Sequence, residues 1–282
     1  MQGVLYNRPS ETISPRPFPM QNPKIVFFDI DDTIYRKYTD TLRPSVGEAL
    51  AALKQRGILT AIATGRPPVA IPAKVKTLIQ EAGIDMLVTI NGQYIEFQGK
   101  TLQHYPIAAA EAAAVCDFLA QQNIAYAFVN NAEISVSEET GWAREALSRI
   151  VSSYQVDAHY YRRQPVYQLL AFYTQEHDSP IDAAVAQMGF KTVRWHENAV
   201  DILRQEGSKA RGIGHAIGKL GIDMKDVMAF GDSFNDVEMM QAVGFGVAMG
   251  NGEESVKALA DYVCPSVDED GVLRGLQDLG VI

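Results

Sequence analysis

Short, uninterrupted apolar runs alternate with helical segments in the first third of this chain, and this alternation limits the fold more than any other feature. The runs are KIVFFDI (24–30), ILTAIAT (58–64) and IDMLVTI (84–90). An apolar run of this length without polar alternation is typical of a strand buried on both faces of a parallel sheet. The order strand, helix, strand, helix, strand therefore predicts an α/β fold with a doubly wound, Rossmann-like parallel sheet.

The middle of the chain has a different pattern. A strong helix (107–123) is followed by strands in adjacent pairs, at 125–138 and at 192–205. Paired strands favour an antiparallel sheet with helices on one face. From Gly207 onwards the parallel pattern returns. The sequence therefore predicts three parts, namely an N-terminal extension (1–23), an α/β core (24–104 and 205–282) and an inserted α+β domain (105–204).

Composition and charge argue against several classes of protein. The 282 residues include 25 Lys and Arg against 34 Asp and Glu, a net charge of −9, which argues against a nucleic-acid partner. No apolar run approaches the roughly 18 residues of a membrane span, and residues 1–20 lack the pattern of a signal peptide. Two cysteines cannot form a disulfide framework and fit a cytoplasmic location. The expected partner is a small molecule.

Polar and acidic residues follow the predicted core strands where each strand ends. Ligands of open parallel sheets bind at the carboxyl ends of the strands, so these residues are candidates for a functional site. They are Asp29, Asp31 and Asp32, then Thr64, Gly65 and Arg66, then Asn91 and Gly92, and finally Asp232, Asn235 and Asp236.

The acidic members of this set require a compensating charge. Two carboxylates about 4 Å apart repel by about 4 kcal/mol at an effective dielectric constant near 20. Asp side chains without Cys or His favour Mg²⁺, which is therefore the expected cofactor. A calcium-binding EF-hand loop is the alternative. Its pattern needs Asp or Asn followed by Gly at the positions where this chain has Thr33 and Ile34, so calcium is disfavoured.

With Mg²⁺ and a phosphoryl group present, each residue type has a chemical task. Asp29 can attack phosphorus, and Asp31 can protonate the leaving oxygen and then activate water. Thr64 can donate its hydroxyl to a phosphoryl oxygen, and Lys209 can neutralise the charge that accumulates there. A lysine in the first turn of a helix opposes the macrodipole by about 0.3–1 kcal/mol, so the position of Lys209 needs another cause.

Four motifs in this order resemble the haloacid dehalogenase (HAD) superfamily, and more narrowly its Cof-type phosphatases, which carry an inserted cap. The segment VTINGQYI (88–95) is similar to that subfamily too, and the resemblance extends over nearly all of residues 24–282. Asp32 departs from the family, which most often has glycine there. The four motifs are FFDIDDTIY (27–35), AIATGR (61–66), GSK (207–209) and FGDSFNDVEM (230–239).

The resemblance implies a Mg²⁺-dependent phosphatase that hydrolyses a small phosphorylated metabolite through an aspartyl-phosphate, with the cap domain reading the leaving group. The implied roles are as follows: Asp29 as nucleophile and Asp31 as acid and base; Thr64, Gly65, Lys209 and Asn235 as phosphate-binding residues; Asp29, Asp31 (through its backbone carbonyl), Asp232 and Asp236 around the metal; and Asn91, Gly92 and Arg66 as substrate or hinge residues.

Two alternatives remain open. A phosphotransferase such as a mutase would use the same residues, with a bound hydroxyl in place of water. A phosphate-sensing module that is phosphorylated without turnover is the other alternative. Receiver domains of that kind also pair acidic residues with a lysine, but they are about 120 residues long and carry no inserted domain.

Overall fold

The structure is a computed structural model that describes residues 22–148 and 150–282. The predicted N-terminal extension lies outside the described residues up to residue 21. The first part of the chain contains β1 (Ile25–Phe28), β2 (Tyr35–Arg36), β3 (Thr41–Leu42), α1 (Pro44–Gln55), β4 (Leu59–Ala63), α2 (Ala73–Ala82), β5 (Met86–Thr89), β6 (Tyr94–Phe97) and β7 (Lys100–His104). The middle part contains α3 (Ala109–Gln121), β8 (Tyr126–Val129), β9 (Ile134–Val136), α4 (Gly141–Leu147), β10 (Gln155–Val156), β11 (Gln168–Ala171), α5 (Asp178–Gln187), β12 (Phe190–His196) and β13 (Ala199–Arg204). The last part contains α6 (Lys209–Gly218), β14 (Val227–Gly231), α7 (Val237–Ala242), β15 (Phe245–Met249), α8 (Glu254–Lys257), β16 (Tyr262–Cys264) and α9 (Gly271–Asp278).

One sheet, the core sheet, combines strands from the first and last parts of the chain. Its eight strands lie in the order β16-β15-β14-β1-β4-β5-β6-β7. The strands from β16 to β5 in this order are parallel to their neighbours. The winding reverses at β1, where doubly wound sheets bind their ligands. The predicted α/β fold with a Rossmann-like core is confirmed.

The apolar run of β1 is explained by burial on both faces of the core sheet. Val26 and Phe28 pack in a cluster with residues of α1, α2 and α9. Ile25 and Phe27 pack on the opposite face with residues of α6, α7 and α8. Full burial of an apolar side chain of this size contributes about 1.5–3 kcal/mol, so a polar residue anywhere in the run would be costly.

The edge of the core sheet next to β5 carries an antiparallel hairpin that the sequence pattern did not assign. Strands β6 and β7 are joined by Gln98 and Gly99, which both have positive φ (48° and 72°). A two-residue turn with both φ angles positive matches the twist of a hairpin. The signal was weak because Gln-Gly is a rarer turn sequence than Asn-Gly or Asp-Gly.

The second large sheet, the cap sheet, contains only strands of the middle part. Its order is β10-β9-β8-β11-β13-β12, and all neighbours are antiparallel except β9 and β10. Helices α3 and α5 pack on one face, whereas α4 packs on the other, with Ala143 and Leu147 against Val129 and Leu170. The prediction of helices on one face is therefore wrong for α4. All four residues of β8 are buried, so the sequence of this strand has no polar alternation that could indicate which faces of the sheet carry helices.

An apolar cluster joins the two sheets. Ile90 and Tyr94, at the end of β5 and the start of β6, pack in one cluster with cap residues that include Ala127 and Val129. The ring of Tyr94 lies 5.5 Å from that of Tyr167, centroid to centroid. The cap sheet is therefore attached to the core by buried side chains as well as by the chain connections.

Candidate active site

Three neighbouring strands bring the predicted catalytic residues to one edge of the core sheet. Strand β1 pairs in parallel with both β14 and β4. Asp29 follows β1 directly, Thr64 follows β4 and Asp232 follows β14. All three side chains are buried. Because parallel strands end at the same edge, residues up to 203 positions apart in the sequence meet there.

Lys209 is the first residue of α6 and lies at the centre of this edge. The hydroxyl of Ser208 caps the helix by accepting the backbone N–H of Arg211 at 3.1 Å. Lys209 is 1% exposed, and its ammonium donates to Asp29 Oδ1 at 2.6 Å and to Asp236 Oδ1 at 2.7 Å. The attraction of the Lys209 ammonium to two carboxylates outweighs its unfavourable interaction with the helix macrodipole. This attraction explains why a lysine occupies the first turn of α6.

Asp236 fixes the loop that follows β14. Its Oδ2 accepts the backbone N–H groups of Asp232 at 3.0 Å and Ser233 at 3.1 Å. This packing requires glycine at position 231, where a Cβ atom would lie 2.5 Å from Asp236 Cγ. The hydroxyl of Thr33 donates to Asp232 Oδ1 at 3.3 Å. The carboxylate of Asp232 is thus oriented from both its backbone and its side-chain neighbours.

Burial and crowding shift the proton affinities of these groups. Burial raises the pKa of Asp29 to about 7, although Lys209 opposes the shift. Burial and the charges of Asp29 and Asp236 raise the pKa of Asp232 to about 9. Burial alone would lower the pKa of Lys209, but Asp236 and Asp29 raise it above its usual value. The edge therefore holds more negative charge than one ammonium neutralises.

Asp29, Asp232 and Asp236 form a group of carboxylates that fits a divalent cation. One oxygen of each lies within 4.8 Å of the other two, and all three residues are buried. Hard oxygen donors without Cys or His match the preference of Mg²⁺. A dication among them would offset the burial and the mutual repulsion that raise the pKa values of Asp29 and Asp232.

Asp31 is held by Arg66. The guanidinium donates from Nε to Asp31 Oδ2 at 2.7 Å and from Nη2 to Oδ1 at 2.8 Å, and from Nη1 to the Ala70 carbonyl at 2.8 Å. The backbone N–H of Arg66 in turn donates to the hydroxyl of Thr64 at 3.1 Å. The Asp31 carboxylate is therefore committed to Arg66, and its backbone carbonyl stays the predicted metal ligand.

The remaining predicted residues divide into two pairs. Gly65 and Asn235 lie on the wall of the cavity described below. Asn91 is 2% exposed and bonds to other side chains instead. Gly92 (φ 86°) packs against the start of α6, where a Cβ atom would lie 2.2 Å from the Ser208 carbonyl oxygen. Asn91 and Gly92 are therefore not among the described wall residues, and Gly92 has a packing role between β5 and α6.

A cavity of about 230 Å³ separates the catalytic edge from the cap sheet. The hairpin of β2 and β3 contributes Lys37 and Tyr38 to its wall, and the loop after β14 contributes Phe234. The core side of the wall includes Asp29, Asp31, Thr64, Gly65, Arg66, Asp232 and Asn235. The cap side includes Val129, Ile134, Gln168, Leu170, Arg194, Trp195, His196 and Asp201.

Asp201 lies on the cavity wall and is not among the residues predicted from the sequence, although its strand pattern indicates its position. In β13, Val200 and Ile202 face the apolar cluster beneath α3 and α5. Strand alternation then requires Asp201 to face the opposite side, toward the cavity. Burial raises its pKa to about 7, although a hydrogen bond from Asn91 opposes the shift. Lys37, in contrast, offered no signal, because its position depends on the short hairpin of β2 and β3.

Comparison with known proteins agrees with this geometry. The sequence profile of haloacid dehalogenase-like hydrolases matches residues 26–276. The chain belongs to this family. The match extends over most of the core and the whole cap sheet, as the four motifs predicted.

Three similar proteins are phosphatases by name. The putative phosphatase YkrA of Bacillus subtilis (strain 168) is 32% identical over 270 residues, covering 92% of this chain and 98% of the relative. A putative bifunctional phosphatase/peptidyl-prolyl cis-trans isomerase of Streptococcus pyogenes serotype M6 is 32% identical over 260 residues, covering 92% of this chain but 54% of the relative. The chain thus spans about half the length of that relative. The solved structure of the HAD subclass IIB sugar phosphatase BT4131 has a TM-score of 0.83 and 30% identity, covering 92% of this chain and 100% of the other.

These similarities confirm that the chain is a HAD-superfamily phosphatase. Phosphatases of this superfamily generally use a divalent metal, in agreement with the group of three carboxylates. Within the described part of the chain, no helix combines the length and the apolar character that crossing a bilayer requires.

Proposed function

We propose that this protein is a Mg²⁺-dependent phosphatase that hydrolyses a small organic phosphate through an aspartyl-phosphate on Asp29. The observation that carries the proposal is the buried contact of Lys209 with both Asp29 and Asp236, beside Asp232. Replacing buried ionic groups by apolar ones is often neutral or stabilising. Three carboxylates and an ammonium kept together in the interior therefore point to a chemical use rather than to stability.

In the first step, a carboxylate oxygen of Asp29 bonds to phosphorus while the bond from phosphorus to the leaving oxygen breaks. Asp31 in its protonated form gives its proton to that oxygen, so the leaving group departs as an alcohol. Lys209 and the hydroxyl of Thr64 donate to the phosphoryl oxygens, which gather charge in the transition state. Arg66 holds both Asp31 oxygens in this structure, so one of these two contacts has to open before Asp31 can carry the proton.

In the second step, water hydrolyses the aspartyl-phosphate. The Asp31 carboxylate takes a proton from water as the water oxygen bonds to phosphorus. The bond between phosphorus and Asp29 breaks, and inorganic phosphate leaves. Asp29 is again a carboxylate and Asp31 is again protonated, so the enzyme has returned to its starting state.

The residues that would hold Mg²⁺ are Asp29, Asp232 and Asp236, with the backbone carbonyl of Asp31. A bound dication supplies charge neutralisation for an anionic substrate that has to approach several carboxylates. Lys209 makes a similar contribution through its contacts with Asp29 and Asp236, and its ammonium is fixed before substrate arrives.

The cavity indicates what kind of substrate fits. A space of about 230 Å³ between the catalytic edge and the cap sheet suits a small organic phosphate and excludes a folded macromolecule. The leaving group would contact the cap side of the wall, and a closed space around it would limit access of water to the intermediate. We therefore assign selection of the leaving group to the cap sheet.

The test is steady-state hydrolysis of p-nitrophenyl phosphate by the full chain, with Mg²⁺ and with excess chelator, in wild type and in Asp29→Asn. We expect multiple turnovers with Mg²⁺, and none in chelator or in the variant. The variant should keep its circular dichroism spectrum, since Lys209 retains its partner Asp236. Asp223→Asn is the matched control, because that carboxylate is exposed and outside the cavity.

Four outcomes would overturn the proposal. Near wild-type turnover in Asp29→Asn would show that Asp29 is not the nucleophile. Full activity in chelator would show that the reaction does not require a metal ion. Turnover that requires an added alcohol, with the phosphoryl group appearing on that alcohol, would identify a phosphotransferase instead. A stable, stoichiometric phospho-aspartate without turnover would identify a sensing module.

A further inference from the structure

The chain adopts an unusual backbone conformation directly after β5. Ile90 and Asn91 have φ angles of 52° and 48°, in the left-handed region, and Gly92 follows at 86°. For a β-branched residue such as isoleucine this conformation is a genuine outlier, with a cost of order 1–3 kcal/mol. Such strain persists only where surrounding contacts enforce it, and here it turns the Asn91 side chain into the junction between the core and cap sheets.

The amide of Asn91 bonds on both sides of this junction. Its Nδ2 donates to Gln168 Oε1 of β11 and to Asp201 Oδ2 of β13, both at 3.0 Å. Its Oδ1 accepts from Asn235 Nδ2 at 3.3 Å. A side-chain amide has one acceptor and one donor end, so two acceptors on the cap side fix which end faces Asn235.

Gly65 provides a second, independent observation. A Cβ atom built there would lie 3.1 Å from Asn91 Oδ1 and 3.3 Å from Asn235 Nδ2. Position 65, in the motif AIATGR (61–66), therefore lacks a side chain at the place where the amides of Asn91 and Asn235 meet. The space next to Thr64 is occupied by the Asn91–Asn235 pair instead.

We propose that Asp201 is a positioning residue, which acts through Asn91 to orient the amide of Asn235 at the phosphate site. The proposal rests on the proposed function, since Asn235 is expected to bind the phosphoryl group. One N–H of the Asn235 amide is bonded to Asn91. This bond holds the other N–H and the amide oxygen of Asn235 in place on the cavity wall. Gln168 supports the same orientation from β11, so the cap sheet contributes to phosphate binding without contacting the phosphate.

The experiment measures kcat/KM for two phosphate esters with unlike leaving groups, p-nitrophenyl phosphate and glycerol 3-phosphate, together with competitive inhibition by inorganic phosphate. We expect Asp201→Ala to lower kcat/KM about tenfold for both esters and to weaken inhibition by a similar factor, as for loss of one oriented hydrogen bond. Asp201→Asn keeps an acceptor for Asn91 and should stay within about threefold of wild type.

A double-mutant comparison separates positioning from a merely structural role. If Asp201 acts through Asn235, Asp201→Ala should have little further effect in an Asn235→Ala background. Additive losses, or a lowered melting temperature with unchanged phosphate inhibition, would overturn the proposal. Losses that differ strongly between the two esters would also overturn it, because they would make Asp201 a reader of the leaving group.

Failure of the inference and failure of the proposed function can be told apart. If Asp29→Asn is inactive while Asp201→Ala matches wild type on both esters and on inhibition, only the inference is wrong. If Asp201→Ala fails to fold, Asn91→Ala tests the same link from the core side and should reproduce the loss in phosphate inhibition.

Discussion

The two walls of the cavity differ in how much apolar surface they present. The core wall presents carboxylates, an arginine and a hydroxyl that bond to one another, with Lys209 buried behind Asp29. The cap wall combines apolar side chains with four polar ones, namely Val129, Ile134, Leu170 and Trp195 with Gln168, Arg194, His196 and Asp201. The charged wall comes from strand ends of a parallel sheet, and the mixed wall comes from the face of a mainly antiparallel one.

This difference suggests a division of labour. Charged groups fixed at strand ends can act on the phosphoryl group, which every substrate shares. Apolar and aromatic side chains on a sheet face can distinguish leaving groups by shape, at about 1–3 kcal/mol for a methylene-sized difference. Changes on the core wall should therefore lower activity toward all substrates alike, and changes on the cap wall should alter their ranking.

The largest effect is expected from Lys209→Met. Asp29 and Asp236 would lose their shared partner, and kcat/KM should fall about 10²–10³-fold for every phosphate ester tested. Stability should fall too, by about 3–5 kcal/mol, because the change leaves buried charges without compensation. Kinetics on a substrate panel and chemical denaturation measure the two effects.

Lys225→Met is the control for that change, since Lys225 is 77% exposed. Unequal losses across the panel in Lys209→Met would contradict the view that the core wall acts only on the shared phosphoryl group.

The next effect concerns metal binding and pH. Because the pKa values of Asp29 and Asp232 are raised to about 7 and about 9, these carboxyls hold protons near neutrality that Mg²⁺ has to displace. Mg²⁺ affinity should therefore rise with pH, by about fiftyfold between pH 6 and 7, with release of between one and two protons. Calorimetry in buffers of different ionisation enthalpy measures that release. Binding that is independent of pH and buffer would show that the crowded carboxyls are already ionised.

A smaller effect, confined to selectivity, is expected from Trp195→Ala on the cap wall. Removing this ring should change kcat/KM by about tenfold for some esters and hardly for others, so that their ranking changes. Trp142→Ala is the matched control, because that tryptophan is 45% exposed and is not among the described residues of the wall. A uniform loss across the panel would remove the distinction between the walls.

The last effect is confined to stability and concerns Asp201. Its folded-state pKa of about 7 lies above the unfolded value near 4, so the folded state binds the extra proton between these pH values. Stability of the wild type should therefore fall as pH rises from 4 to 7 relative to Asp201→Asn, by about 3 kcal/mol. Chemical denaturation at several pH values measures the difference in unfolding free energy between wild type and Asp201→Asn. A difference that does not change with pH would contradict the raised pKa.

The core and its catalytic edge were largely predictable because they follow from local signals and one topological rule. Fully apolar runs identify the strands, and parallel strands align their ends, so Asp29, Thr64 and Asp232 could be expected to meet before any coordinates were known. The placement of Lys209 followed from chemistry, since a lysine at a helix start needs a nearby anion.

The cap side of the site could not be predicted in the same way. The link from Asp201 through Asn91 to Asn235 joins residues 110 and 144 positions apart, and it depends on how one sheet sits over the other. Ile90 adopts the left-handed region, which isoleucine strongly disfavours. The sequence around Ile90 therefore predicted a strand that continues through this residue. These features arise from tertiary contacts that override local preference.

The apolar attachment of Ile90 and Tyr94 to the cap sheet has a practical consequence for anyone who wishes to shorten this enzyme. A fragment lacking residues 105–204 would present both side chains to water beside the exposed end of β5. Such a surface promotes self-association. A soluble minimal catalyst would therefore need hydrophilic replacements at these two positions as well as a short connector across the gap.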